Sequence, residues 1–425
     1  MKKFLAVILS ILMMFSVTAC GGGEDGGNGK TKIVFACNAG YQLDFEKRVK
    51  EFNKIHPEIE VEVQGIAAAS WGEMLQTIAN DCVLGVGPDI ADIASEGMYA
   101  FAESGLLEPL DSYIERDAEE LKETLDNVDK NIVNAHKIGD HTYSLPTVWN
   151  NMVIFYNKNV LKTKGLSEPK AGWTTDEFLN MCKTVAEGNT GGNNDIYGYA
   201  FYNNYFTTLE PWMRAFDSSI LSDDWTQSNV ESENSKKALK FLYDMVNTYK
   251  VSPQVGTSDI DLFVQNKLAF MGYGLWYVES LKTMGFNVED YDVVPFPSDT
   301  GELRSVIGVG GTPIFKSSKN KEAAWTFAKF LASKQFQEEY LSKNIWAIPA
   351  VKTAADKLCS EADVPEHANI FYESASYGKY VPAPAQYTAV ESAILREFGA
   401  YLADVKTLDK AMEDAAGSIN EALGG

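Results

Sequence analysis

Cysteine, histidine and basic residues are all scarce in this sequence of 425 residues. Cys20, Cys37, Cys82, Cys182 and Cys359, and His56, His136, His141 and His367, are scattered, with no CxxC pair and no Cys/His spacing that would wrap a zinc ion. Neither a structural metal nor a cofactor is therefore expected, and a disulfide among Cys37, Cys82, Cys182 and Cys359 stays unassigned. Lys and Arg number 37 against 59 Asp and Glu, a formal net charge of -22. That balance argues against nucleic acid as a partner, because tracking phosphates needs clustered cations. No HExxH or GxSxG occurs, and Gly308-Val309-Gly310-Gly311 lacks the GK[ST] that completes a phosphate loop. After the N-terminal segment, no apolar run is long enough to cross a membrane.

Met1-Lys2-Lys3 places positive charge before the apolar segment Phe4 to Phe15, followed by Ser16-Val17-Thr18-Ala19-Cys20. The apolar part is too short for a transmembrane helix and reads as an export signal. Small residues directly before Cys20, with Gly21-Gly22-Gly23 after it, resemble a bacterial lipoprotein lipobox. That resemblance makes residues 1–20 the lipoprotein signal peptide with its lipobox cysteine, and implies a lipid attached to Cys20 as the first residue of the mature chain and extracytoplasmic anchoring to the cell membrane. Residues 21–31 then serve as a flexible tether. The chain is 45% hydrophobic, enough for large cores but too long for one, so two domains are expected.

Lys32 to Ala36 reads as a buried strand, and Phe45, Val49, Phe52 and Ile55 line a helix stopped by Pro57. Ile59, Val61 and Val63 alternate with Glu60, Glu62 and Gln64 in a second strand. A helical stripe follows, Trp71, Leu75, Ile78, Ala79 and Cys82. Alternating strand and helix predict an α/β unit with a parallel sheet, which takes ligand at strand C-terminal ends, where Asn38, Tyr41 and Glu96 fall. Further along, Thr174 and Glu177 form a capping box, Phe263 to Met271 reads as strand, and Leu408, Met412, Ala415, Ile419 and Leu423 mark a terminal helix.

The stretch Leu145 to Lys158, LPTVWNNMVIFYNK, exposes Trp149, Asn150 and Asn151 before the apolar run Met152 to Phe155. An indole and paired amides on a rigid strand suit a neutral polyhydroxylated ligand, with an apolar face for C–H groups and donor/acceptor pairs for hydroxyls. Trp149 fits a core position equally well.

The order FNKIHPEIEVEV (52–63), Trp71, GPDIADIASEGMYAFAESGLLEPLD (87–111), HTYSLPTVWNNMVIFYNK, GWTTDEF (172–178), LFVQNKLAFMGYGLW (262–276), VVPFP (293–297) and KSSKNKEAAWTFAKFL (316–331) resembles the maltose-binding-protein-like extracellular solute-binding proteins of ABC sugar importers. The resemblance implies a two-lobed, type II periplasmic-binding-protein-like α/β fold with the ligand cleft between lobes. Lobe 1 is expected from 32–148 plus 303–332, and lobe 2 from 149–302 plus 333–425. It further implies a monomer that captures an oligosaccharide or related glycoside and delivers it to the transmembrane subunits of an ABC permease.

Site residues follow from the same resemblance. Trp212 (in Glu210-Pro211-Trp212) and Trp276 match positions that stack on sugar rings and Trp149 falls beside the cleft, while Glu96, Asn150 and Glu210 match polar partners of the sugar. Asn38, at its strand end, is taken as a further hydroxyl partner and Trp149 as a further stacking ring. Tyr41 stands near the first strand, where relatives carry a tryptophan. Trp71 occupies a family-wide tryptophan position, although its spacing with Leu75 and Ile78 fits burial as well. Glu96 also suits a helix start. Tyr387 aligns loosely with a stacking position and also fits helix packing. The Tyr197 to Tyr205 segment suits sugar or a lobe interface, and none of it is assigned. Two other functions remain open. A lipid-anchored glycoside hydrolase would need two carboxylates roughly 5 to 10 Å apart, with Glu96 and Glu210 as the pair. A binder of polyamine or peptide would show a dominant carboxylate cluster instead of ring faces and amides.

Overall fold

The computed structural model describes residues 29–68, 71–343, 346–361 and 363–424. The expected export signal, Cys20 and most of the expected tether lie outside the described residues. Among the described residues, no helix is long and apolar enough to cross a membrane.

In the first lobe, Thr31–Asn38 pairs in parallel with Ile59–Ile66, from Thr31 opposite Ile59 to Asn38 opposite Ile66, and on its other side with Ile90–Ala91. Ile33, Phe35 and Cys37 point into one core because strand side chains alternate. Phe45, Val49 and Phe52 of the helix Gln42–Ile55 cover that core. After a long excursion the chain returns, and Ala324, Phe327, Ala328 and Leu331 of Lys321–Ala332 seal the same core. Phe336, Leu341 and Ala347 also pack there, although their range is expected in the second lobe. The helix Lys334–Glu339 follows Lys321–Ala332 after only Ser333, which caps it by accepting from the Phe336 N–H, so it cannot leave the first core.

The second lobe is built on a sheet ordered Tyr291–Val294, Val153–Asn157, Leu268–Tyr273 and Tyr197–Ala200. Only the last pair is parallel. The strand expected from Phe263 begins later, because the helix Asp259–Val264, capped by Ser258, occupies that stretch and Asn266 turns the chain at φ 57°. The capping box at Thr174 and Glu177 is present. Met412, Ala415 and Ile419 of the terminal helix pack with Phe398 into this lobe's core, with Leu408 and Leu423 at its margin.

Between the lobes lies a third sheet, ordered Ile348–Pro349, Pro146–Asn151, Val306–Gly311 and Lys379–Tyr380. Here Pro146–Asn151 and Val306–Gly311 run antiparallel, with Asn150 opposite Gly308 and Trp149 opposite Val309. The stretch expected to form one support is thus divided at Met152. Its first half belongs to the crossover sheet, and Val153–Asn157 belongs to the second lobe. Cys37, Cys82, Cys182 and Cys359 are all free thiols.

Candidate binding site

Strand ends of the first lobe, the crossover strands and three segments of the second lobe converge on a cleft of about 440 Å³. Tyr41, Trp71, Asp92, Glu96 and Trp346 come from the first side, and Asn204, Phe206, Thr207, Trp276, Tyr387 and Glu391 from the second. Val148, Asn150, Gly308 and Gly310 form the floor. A larger polar hollow of about 960 Å³ lies beside Trp225 and Arg304, but there the Arg304 guanidinium is already engaged by Asp299 and Glu302.

The rings at the cleft occur in pairs. Tyr41 stacks on Trp346 with centroids 5.3 Å apart, and Phe206 on Trp276 at 6.5 Å. Gly274 makes the second pair possible: a Cβ there would stand 2.0 Å from the Trp276 ring and 2.6 Å from the Asn151 carbonyl oxygen. Trp71 packs one side on the first lobe's apolar cluster and borders the cleft with the rest.

Polar groups here lack partners. Asp92 follows Ile90–Ala91, its N–H donates to the Ala36 carbonyl at 2.8 Å, and it is 6% exposed. Burial pushes its carboxyl up to about 6, against a smaller opposing pull from Arg48. Glu96, second residue of the helix Ser95–Glu103, has a buried Oε2 without a partner, and its carboxyl is raised chiefly by burial. The Asn150 Oδ1 is likewise buried and unpaired. Glu391 is raised by burial and lowered by the Tyr387 hydroxyl, which donates to it at 3.1 Å. Tyr387 itself is 8% exposed and meets Tyr205 edge-on, so it borders the cleft while packing its helix.

Three expected ligand contacts are placed elsewhere, and a fourth, Trp149, only edges the cleft. Trp212 is fully buried: its Nε1 donates to the Tyr199 hydroxyl at 3.0 Å, and its ring packs against Phe178, Phe241 and Phe296. Glu210, the first residue of the same helix, accepts from the Ser219 hydroxyl at 2.7 Å and the Ile220 N–H at 3.1 Å, and pairs with Arg214 at 2.7 Å. It braces the lobe and does not face Glu96 across a ligand. Asn38 spends its Oδ1 on the Gly40 N–H at 2.8 Å, capping a short turn. Trp149 borders the cleft, but its ring is 1% exposed and lies edge-on to Tyr372. Strand alternation sends it away from Val148 and Asn150.

Asp92, Asn204, Phe206, Thr207, Trp346 and Glu391 were not anticipated. For Asp92 the signal was present, an acid directly after a buried strand. Asn204 lies in the aromatic and amide segment left unassigned, and Phe206 and Thr207 directly follow it. Glu391 and Trp346 sit in helical or turn contexts with no local mark.

A family model described as bacterial extracellular solute-binding protein matches residues 39–338. The maltotriose-binding protein of Pyrococcus abyssi is 25% identical over 331 residues, 76% of this chain and 67% of that protein. The galactooligosaccharide-binding protein of Bacillus subtilis is 24% identical over 98% of this chain and 97% of its own length. Among solved structures, an ABC substrate-binding protein from Listeria monocytogenes in complex with cycloalternan superposes with a TM-score of 0.82 at 24% identity, covering 93% of this chain and 99% of that one. Maltose-bound MalE3 of T. maritima gives a TM-score of 0.75 at 21% identity, with 92% and 99% covered. These two likenesses establish the fold.

Proposed function

The chain belongs to the bacterial extracellular solute-binding proteins, and from that premise we infer that it is the carbohydrate-binding component of an ABC importer. It takes an oligosaccharide or related glycoside into the cleft and presents it to a membrane permease. One observation carries this reading: ring faces of Tyr41, Trp71, Phe206 and Trp276 surround acceptors that have no donor, namely the Asp92 carboxylate, the Glu96 Oε2 and the Asn150 Oδ1. A saccharide offers the complement, C–H faces for the rings and hydroxyl donors for the acceptors. The named ligands of the relatives, maltotriose and galactooligosaccharide, support the same class.

Ligand contacts are assigned to Tyr41, Trp71, Asp92, Glu96, Asn150, Phe206, Trp276, Tyr387 and Glu391. Since these come from both lobes, ligand held by one lobe gains further contacts only when the other closes, and the antiparallel crossover strands supply the joint. The closed form is what the permease reads. The protein acts as a monomer tethered through lipid on Cys20, and a Cys20→Ser variant is expected in the medium instead of the membrane fraction.

Isothermal titration against neutral glycans tests the assignment. Trp276→Ala should weaken the best of them by about tenfold to a hundredfold, the scale of one lost stacking ring, and unchanged affinity would remove Trp276 from the site. The ligand leaves chemically unaltered. Cleavage products after incubation with the same glycans would replace a binder by a hydrolase, for which the Glu96 and Glu210 pair is unsuited because Glu210 is sealed in its lobe.

A further inference from the structure

The charge around the cleft narrows the saccharide, an inference that rests on the reading just given. Asp92 and Glu96 come from one lobe and Glu391 from the other, and the described lining contains no lysine, arginine or histidine. The guanidinium that acts on Asp92, that of Arg48, is held by Asp44 at 2.5 Å and lies over the rings of Phe45 and Trp346. Asp92 is nine-tenths buried, and its carboxylate accepts no hydrogen bond from the described residues. The Glu96 Oε2 is buried and equally unpartnered, and the Glu391 charge acts on Glu96 from across the cleft.

Hydroxyl donors would satisfy these oxygens, yet they leave the negative charges buried without neutralisation, which is costly in a desolvated site. A protonated amine supplies three donors and cancels a charge in the same step. We propose that the cleft selects a saccharide carrying a free, protonated amino group, seated between Asp92 and Glu96 of the first lobe and Glu391 of the second. Such a group would add a favourable contact on each side, so it would bias the protein towards closure more than a hydroxyl in the same place. Uronic or otherwise anionic sugars are disfavoured by the same charges.

Calorimetry at about pH 7, where an amino sugar retains much of its proton, decides the matter. The probes are the chitosan trimer, its N-acetylated form and cellotriose, then maltotriose and its 6-amino derivative, with spermidine as the amine that lacks a sugar. An aminated glycan should bind at least about tenfold more tightly than its hydroxyl or acetylated counterpart, the scale of one charge-assisted contact. That preference should shrink in Glu391→Gln, whose fold is checked by its thermal transition. Equal or tighter binding of a hydroxyl-only glycan overturns the amine while leaving the saccharide reading intact. An equal loss for amine and hydroxyl forms in Glu391→Gln does the same. Binding of spermidine with no saccharide, or of no probe at all, ends both.

Discussion

Glu210 with Trp212 and Glu96 with Trp71 are similar sets of groups placed in opposite circumstances. In the second lobe's core the carboxylate and the indole N–H are both satisfied: Glu210 has Ser219, Ile220 and Arg214, and Trp212 has Tyr199. At the cleft, the Glu96 Oε2 has none, Asp92 has only a distant guanidinium, and the indoles keep a free side. Residue type therefore says little about which acid meets a ligand. What distinguishes them is whether the chain has already supplied the donors, since a buried acceptor left unpaired costs free energy that a ligand's donors can recover.

Breaking the satisfied side should cost most. Glu210→Ala strands the mostly buried Arg214 and should lower the unfolding free energy by about 3–5 kcal/mol, measured by urea titration, while the folded fraction still binds glycan. Relieving the unsatisfied side should act with the opposite sign. The folded state holds the Asp92 proton more tightly, about 6 against an ordinary 3.8, so the apo protein loses stability as pH rises from 3.8 through 6. Asp92→Asn should therefore be more stable than the parent by about 2–3 kcal/mol at pH 8, an advantage that disappears below about pH 4, and it should bind more weakly. Urea titrations at both pH values with matched calorimetry check both parts.

Gly274→Ala sharpens the contrast by disturbing the ring alone. The added methyl meets the Trp276 ring and the Asn151 carbonyl, and should cost about 1–3 kcal/mol of stability together with affinity. The smallest effect is expected at Asn38. Asn38→Ala removes one turn cap, worth about 0.5–1 kcal/mol, and calorimetry should find ligand affinity unchanged.

Much of the architecture was legible because it follows from periodicity. The strands Thr31–Asn38 and Ile59–Ile66, the helix face of Phe45, and the terminal helix all repeat every second residue or every third to fourth. The site was half legible. Trp276, Trp71, Tyr41, Glu96, Asn150 and Tyr387 border the cleft; strand ends pointed to Tyr41 and Glu96, whereas Trp276, Asn150 and Tyr387 were marked by the family resemblance. Trp212 and Glu210 misled because an acid-Pro-aromatic sequence looks the same whether its helix faces inwards or outwards. Only the rest of the fold decides that. Glu391 and Trp346 became site residues through contacts made by distant segments, which no local pattern encodes.

The crossover strand Pro146–Asn151 divides its labour by parity. Val148 and Asn150 border the cleft, while Trp149 touches it only from the core in which its ring is buried and Asn151 donates to the buried Ser374 hydroxyl at 2.6 Å. Taste and foundation thus sit on opposite sides of a single ribbon. A change of sugar preference can be written at 148 and 150 without disturbing the masonry at 149 and 151, whereas inserting one residue ahead of them would exchange the two inscriptions at once.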